Sequence, residues 1–375
     1  MNKIKNSNQF RPTRARIDLD ALAHNFALAR DLAGPELGLL GVVKANAYGH
    51  GAVSVAKTLE AQGVGALGVA TPREGLELRE AGIKAPIFLL AGPFSAPGDL
   101  LVEYGLTPFI FNRAQMAHLE KTLSKPLEFH LKVDTGMTRL GILPDQIPDF
   151  LKDLKNYPHL SLKGVLSHLA QADETFAGPT ASQYEIFAQT EAILKKEIPG
   201  VEFFHIANSA AILGKQLGPC NWARPGLMLY GANPHPRLEE GKKLKPVMHL
   251  ETQILSLKEV PAGAAVSYGG DWVASRKSRI AVLPVGYADG YHRSLGNRAE
   301  VLIDGKRVPV VGRVCMDLSM IDVTDFPEVD LGSTVTLWGP GLPAEEVADW
   351  AGTISYELFC GVSPRVPRIY EGEGH

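Results

Sequence analysis

The first feature of this chain that could do chemistry is an amine at the end of an apolar run. Leu39-Leu40-Gly41-Val42-Val43 reads as a buried strand, and it delivers Lys44 before breaking into Ala45-Asn46-Ala47-Tyr48-Gly49-His50-Gly51. Such a strand holds the lysine from behind while its tip faces whatever lies at the strand's end. A lone lysine there is most often an ordinary surface residue, so its company decides. Polar residues also close later apolar runs: Lys132 and then Arg139, Ser167-His168, His205 with Asn208-Ser209, and Arg224-Pro225-Gly226. Singly, Ser209 reads as a helix cap, His168 as a core histidine and Arg139 as a loop residue. Together they gather at one end of a set of strands. Asn208, Ser209 and Gly226 offer a hydroxyl and backbone N–H groups to an anion. An amine opposite an anion site suits a phosphorylated aldehyde held as a Schiff base, and pyridoxal phosphate has both ends.

The elements that must position these groups follow from the patterning. Apolar runs at 39–43, 66–70, 86–90, 107–111, 127–133, 162–167, 202–206 and 226–230 alternate with helical spacing, seen best at 20–32, 112–123 (Asn112 as N-cap) and 181–195. Eight such units predict an α/β fold, an N-terminal (β/α)8 TIM-type barrel, with a doubly wound open sheet as the competitor. Barrel enzymes carry their chemistry at the C-terminal strand ends, where these residues fall. Past residue 245 the runs alternate in period two, at 249–260, 279–285, 299–303, 308–311, 318–323 and 333–338. Asp304-Gly305 signals a hairpin, and one helix is evident at about 344–351 behind Pro343. The expected organisation is a barrel over 12–244 and a C-terminal β-rich domain over 245–375, with residues 1–11 free to pack with the latter and a flexible linker near 239–243.

Composition limits the function classes. The chain has 375 residues, 45% hydrophobic and 21% charged, enough for two cores. A net charge of −3 makes no case for nucleic acid or an anionic membrane. Three widely spaced cysteines and the absence of an apolar leader or span point to a cytoplasmic protein. Gly63-Val64-Gly65-Ala66-Leu67-Gly68 fits a dinucleotide pattern but precedes its strand instead of following one, and is rejected. No zinc or binuclear ligand set is present, so no metal is expected.

The segments VVKANAYGHG, KVDTGMTRLG, SHLA, HIANSAA, ARPGLMLYG, VSYGG, GYADGY, GRVCMD and SYELFC resemble, in order and over nearly the whole chain, the motifs of the alanine racemase family. The resemblance implies a pyridoxal 5'-phosphate enzyme of fold type III that interconverts L- and D-alanine for peptidoglycan. It also implies a homodimer with shared active sites. Lys44 would carry the cofactor; Tyr48, Ser209, Gly226, Leu227 and Tyr356 would bind its phosphate, with His168 and Asn208 alongside. Arg224 would face the pyridine nitrogen, and because arginine keeps its proton the ring nitrogen would stay unprotonated. Lys44 and Tyr268 would be the two bases, Tyr268 reaching the partner's barrel with help from His168. Arg139 and Met316 would hold the substrate carboxylate, Lys132 (often carbamylated in the family) and Asp317 would support them, and Asp173, His205, Arg293 and Arg313 would form a polar entrance. Thr138 departs from the pattern, since glycine is common there, and His50 has no role assigned. A racemase of broader specificity, for example toward serine, and a non-catalytic pyridoxal-phosphate-binding barrel are the alternatives.

Overall fold

The computed structural model describes residues 11–372. Strand β1 (Arg14–Asp18) comes first, and Asp18 caps the helix Leu19–Ala33 by accepting from the Ala21 amide at 2.7 Å. Eight parallel strands follow: β2 (Gly38–Val42), β3 (Ala66–Val69), β4 (Ile87–Leu89), β5 (Leu106–Ile110), β6 (Leu127–Lys132), β7 (Leu160–Leu166), β8 (Phe203–His205) and β9 (Trp222–Ala223). They pair in the order β8-β7-β6-β5-β4-β3-β2-β9. The ring closes where Asn221 donates to Phe204 O at 3.0 Å and Arg224 N to Ala207 O at 2.9 Å. The strands are almost continuously buried, as parallel strands under helices must be. The expected helices lie at Leu19–Ala33, Arg113–Glu120 and Pro179–Glu197, and Asn112 caps the second by accepting from Gln115 N at 2.9 Å.

Two expectations about the barrel are corrected. The run 226–230 is not the eighth strand: Leu227–Tyr230 is a 3-10 turn, and the strand is the shorter β9 before it. Every side chain of that turn is buried, beneath a helix whose Asn25 donates to Leu229 O at 3.1 Å. An apolar run buried on all sides carries no period to tell strand from helical turn. The barrel also does not start at residue 12, because β1 belongs to the second domain's sheet. It runs antiparallel to β10 (Met248–Gln253) and parallel to β19 (Arg368–Glu371). The stretch 239–243 is an ordered 3-10 turn with Lys242–Glu239 and Lys243–Glu240 ion pairs.

The C-terminal domain is β-rich. Its six-stranded sheet has the order β16-β15-β18-β10-β1-β19, with β15 (Glu300–Ile303), β16 (Lys306–Pro309) and β18 (Thr334–Trp338). The β15–β16 hairpin turns through Asp304 and Gly305 at φ 48° and 75°, the two positive values that an Asp-Gly hairpin turn needs. A second sheet joins β11 (Ser256–Val260), β14 (Ser278–Leu283) and β17 (Ser319–Asp322), and a ribbon joins β12 (Ala265–Val266) to β13 (Trp272–Val273). Besides Ala344–Ala351 there is a helix Ser355–Gly361, seven residues long and so too short to show its period in the sequence. The expected packing of residues 1–11 on this domain is seen for Arg11, whose guanidinium grips both oxygens of the fully buried Asp289; residues 1–10 lie outside the described residues. Arg365 meets the same carboxylate at 2.8 Å. Removing a buried carboxylate that faces two guanidinium groups leaves Arg11 without its acidic partner and the Gly286 amide without its acceptor, so Asp289→Ala is expected to lower the unfolding free energy by about 3 kcal/mol in urea melts.

Candidate active site

Twelve of the residues singled out in the sequence line one cavity of about 500 Å³ at the C-terminal mouth of the barrel: Lys44, Tyr48, Lys132, Arg139, His168, Asp173, Asn208, Ser209, Arg224, Gly226, Leu227 and Tyr356. A cavity of this size holds a cofactor-sized ligand.

Lys44 sits on an unusual support. The four residues after it, Ala45, Asn46, Ala47 and Tyr48, all have φ between 51° and 53°, a left-handed turn built from non-glycine residues. Bonds within the segment, such as Ala47 N to Val43 O and Gly49 N to Ala45 O at 2.9 Å each, are supplemented by side chains. Glu74 accepts from Ala45 N at 2.7 Å while also binding the Ala70 and Thr71 amides, so one carboxylate joins the ends of β2 and β3. His50 Nδ1 bonds Ala47 O at 3.0 Å and Tyr48 O at 2.9 Å. The ring is wholly buried, and burial depresses its pKa to about 3, so it is neutral and the Nδ1 proton is the donor. His50 is therefore a clamp on the turn. Neither it nor Glu74 was assigned a role from the sequence; the signal available was a histidine two residues beyond the loop's tyrosine, which distance along the chain could not interpret.

The two ends of the cavity differ. At one, Ser209 Oγ accepts from Gly226 N at 2.9 Å, which leaves the hydroxyl proton for a ligand. Tyr48 and Tyr356 are both held protonated, Tyr48 raised by burial and Tyr356 raised by burial to about 12. The first-turn amides of Ala210 and Leu227 have no intrahelical acceptor. Gly226 is required, since a Cβ there would lie 2.9 Å from the Tyr48 hydroxyl. Asn208 spends its side chain capping the short helix Ser209–Leu213, accepting from Ala211 N at 3.1 Å. The Ser209 hydroxyl, the two phenols and the free first-turn amides are donors, as an anion requires.

At the other end the charges are cationic. Arg224 is buried and donates to His205 O and Ser167 O at 2.6 Å each, to Ile206 O at 3.3 Å and to His168 Nδ1 at 3.3 Å. No carboxylate faces it, and burial brings it down to about 10, which still leaves it charged at neutral pH. Both terminal nitrogens are engaged, Nε carries none of these bonds, and the residue lines the cavity. His168 is pushed well below its ordinary pKa by burial and then by Arg224. With Nδ1 accepting from an obligate donor, its proton is on Nε2. Burial, then Arg224 and Arg139, brings Lys132 down to about 7, and burial, then Arg139, lowers Lys44. Arg139 is exposed; its backbone N–H bonds Asp134, while its guanidinium makes no hydrogen bond or ion pair among the described residues. Its loop is pinned by Asp134 Oδ1, which accepts from Gly136, Met137 and Thr138 at 2.9, 2.9 and 3.0 Å. Thr138 has φ 55°, the conformation that favours glycine, so the departure noted at this position costs strain without removing Arg139.

The other residues lie elsewhere. His205 is not at an entrance: it is 1% exposed inside the barrel, its Nε2 2.8 Å from His130 Nδ1, because its side chain points inward from β8. Tyr268, 72% exposed, Met316, 54% exposed, and Arg293, Arg313 and Asp317 sit on the C-terminal domain and do not line this chain's cavity. Tyr268 and Met316 share one platform there. Ser267 Oγ donates to Arg313 O at 2.7 Å, and Arg313 pairs with Asp271 beyond Tyr268.

A barrel with a partly desolvated lysine at the end of its first strand, donors gathered at its last two and a β-rich second domain defines an α/β enzyme with a site prepared for an anionic ligand. The alanine racemase N-terminal domain profile matches residues 17–234 and the C-terminal domain profile residues 247–370. The chain belongs to the alanine racemase family. It is 42% identical to the alanine racemase of Halothermothrix orenii over 97% of this chain and 98% of that one, and 45% identical to that of Pseudomonas taetrolens over 97% and 100%. Among solved structures, the biosynthetic alanine racemase of Pseudomonas aeruginosa superposes with a TM-score of 0.88 at 38% identity, covering 97% of this chain and 100% of that one. That of Bacillus anthracis with bound L-Ala-P gives 0.88 at 37%, covering 98% and 96%.

The depressed Lys132 has a measurable consequence. The folded chain releases its proton near pH 7, whereas the unfolded chain holds it to about 10.5. Between those values the unfolded state binds more protons, so stability rises with pH across that window and is flat below it. Urea melts of Lys132→Met should lose that rise.

Proposed function

We propose that the protein interconverts L- and D-alanine, using pyridoxal 5'-phosphate held on Lys44, and so supplies D-alanine for peptidoglycan. The observation that carries this reading is Arg224: a buried cation bonded only to neutral acceptors, lining the cavity between an amine and an anion cradle. Pyridoxal phosphate, when bound, supplies an electron sink for charge developing at the substrate Cα. The residues present fit it. Ser209, Tyr48, Tyr356 and the amides near Gly226 and Leu227 receive the phosphate, and the lowered pKa of Lys44 makes its amine available for attachment. Arg224 would face the ring nitrogen, and because it keeps its proton it would leave that nitrogen unprotonated, a weaker electron sink that would favour return of the proton to Cα over side reactions.

Racemisation needs proton transfer on both faces of Cα. Lys44 serves one. The other belongs to Tyr268 of the partner subunit, with His168 Nε2–H as its hydrogen-bond donor at the barrel mouth; this is why a tyrosine at the tip of a solvent-facing ribbon matters. Arg139 and the backbone N–H of the partner's Met316 hold the carboxylate. Lys132, brought down to about 7, is in substantial part neutral at neutral pH, the form that adds carbon dioxide, and the carbamate would give Arg139 an anionic partner. A homodimer with shared sites follows.

Incubation with single enantiomers of alanine and serine in deuterated water tests the reading: Cα exchange with loss of optical rotation is expected for alanine. Lys44→Ala should abolish it, and borohydride should trap the cofactor on Lys44 only in the parent chain. Tyr268→Phe should slow exchange from one enantiomer by about 10²-fold and from the other far less; equal modest losses would remove its role as a base. Intact mass should show one carbon dioxide added at Lys132, absent from Lys132→Met.

A further inference from the structure

Beyond the helix Ser355–Gly361, which carries Tyr356, the chain crosses Val362–Pro367 to β19, and two arginines of this stretch face in different directions. Arg368 spends its guanidinium on four carbonyls. Nη1 donates to Ser363 O at 2.6 Å and Val366 O at 2.8 Å, and Nη2 to Val362 O at 2.5 Å, so the loop coils around it. Nε reaches Gly49 O at 3.0 Å, the residue that ends the left-handed turn behind Lys44 and Tyr48. Gly49 has φ 80°, and a Cβ on it would lie 2.1 Å from Phe359 O, so turn and helix are in direct contact.

Arg365 turns the other way, toward loops of its own C-terminal domain. It meets the buried Asp289 at 2.8 Å and pairs with Asp317, while Ser363 N donates to Asp289 O at 3.1 Å. Asp289 closes the turn Tyr287–Asp289, in which Tyr287 N donates to Cys315 O at 3.1 Å and Ala288 N to Met316 O at 3.0 Å. Gly286 fits beneath with no room for a side chain, its Cβ position being 2.4 Å from Met316 O. Arg365 thus grips the Met316 segment from both sides, through Asp317 and through Asp289.

We infer that Val362–Arg368 is a strap that positions both halves of the composite site. Arg368 fixes the turn presenting Lys44 and Tyr48 to this chain's own cavity, and Arg365 fixes the Met316 segment offered to the partner's cavity. The inference rests on the reading that Met316 and Tyr268 complete the partner's site. Neither arginine touches substrate or cofactor, so both are positioning residues, and the two serve different sites of one dimer. A general loss of stability would not separate the two sites in this way.

Dimers assembled from a Lys44→Ala chain and a Tyr268→Phe chain keep one working site, with its lysine from the second chain and its tyrosine and Met316 from the first. Arg365→Met in the Lys44→Ala chain should raise KM for alanine about tenfold, a fraction of what an ångström of misplacement can cost, with kcat little changed. The same substitution in the Tyr268→Phe chain should leave KM where it was. Arg368→Met should act in the opposite chain, speeding release of pyridoxal phosphate only when placed beside the intact Lys44. Arg365→Lys, which keeps the charge, should restore most of the KM, whereas Arg368→Lys, which lacks the fork for four carbonyls, should not restore retention. Equal effects in either chain, or none in both, overturn the strap. If the hybrid is inactive despite verified subunit exchange, the shared-site reading fails instead, and the strap is decided by amide exchange in the homodimers. Arg365→Met should then loosen 314–318 and spare 45–51, Arg368→Met should do the reverse, and uniform exchange in both overturns it.

Discussion

Four consecutive L-residues in the left-handed region, Ala45 to Tyr48, are the constraint on which the site depends. Each such residue costs roughly 1–2 kcal/mol, so the turn carries several kcal/mol that its surroundings must offset. Right-handed continuation from β2 would send the chain up into a helix at once instead of folding it back into the glycine-ended turn that closes at Gly49. The left-handed turn keeps the amine and the phenol beside one cavity. Glu74, the neutral His50 and Arg368 hold it from three directions, and these come from the neighbouring barrel unit, from the turn's own exit and from the C-terminal domain. The second domain is therefore part of the machinery that aims this chain's own lysine, independently of what it offers another subunit.

The cavity's electrostatics follow from a shortage of carboxylates. Lys44, Lys132, Arg139 and Arg224 share one wall system with Asp173 as the acidic residue among the lining side chains. Crowding and burial act in the same direction on the amines, lowering both, while the guanidinium of Arg224 stays charged because its carbonyl partners solvate it. Such a site is prepared for ligands that bring their own negative charge, a phosphate at one end and a carboxylate at the other. Arg139, whose guanidinium is unpaired among the described residues, is the group with charge still to give.

Much of the site was legible because barrel topology converts chain order into position. Lys44, Lys132, His168, Ser209 and Arg224 each close an apolar run, and parallel closure brings all such ends to one rim. Where the pattern was ambiguous the reading erred: Leu227–Tyr230, buried on every side, passed for a strand, and β1 was credited to the barrel although it pairs with β10 and β19. His205 carried the right residue type at the right strand end, yet its side chain faces the barrel core, a matter of inward or outward alternation on a three-residue strand.

The sequence by itself determined which groups exist at which strand ends: an amine on the first, an anion cradle on the last two, an arginine where a carboxylate might have stood. Those are local facts, set by residue type and by distance from an apolar run. Tertiary structure alone decided the handedness of the turn after Lys44, the protonation of Lys132 and His168, and the clamps supplied by His50, Glu74, Arg365 and Arg368. The reason is physical. Burial and charge crowding arise between residues far apart in the chain, and a carbonyl such as Gly49 O gains its partner 319 positions away only when two domains have closed on each other.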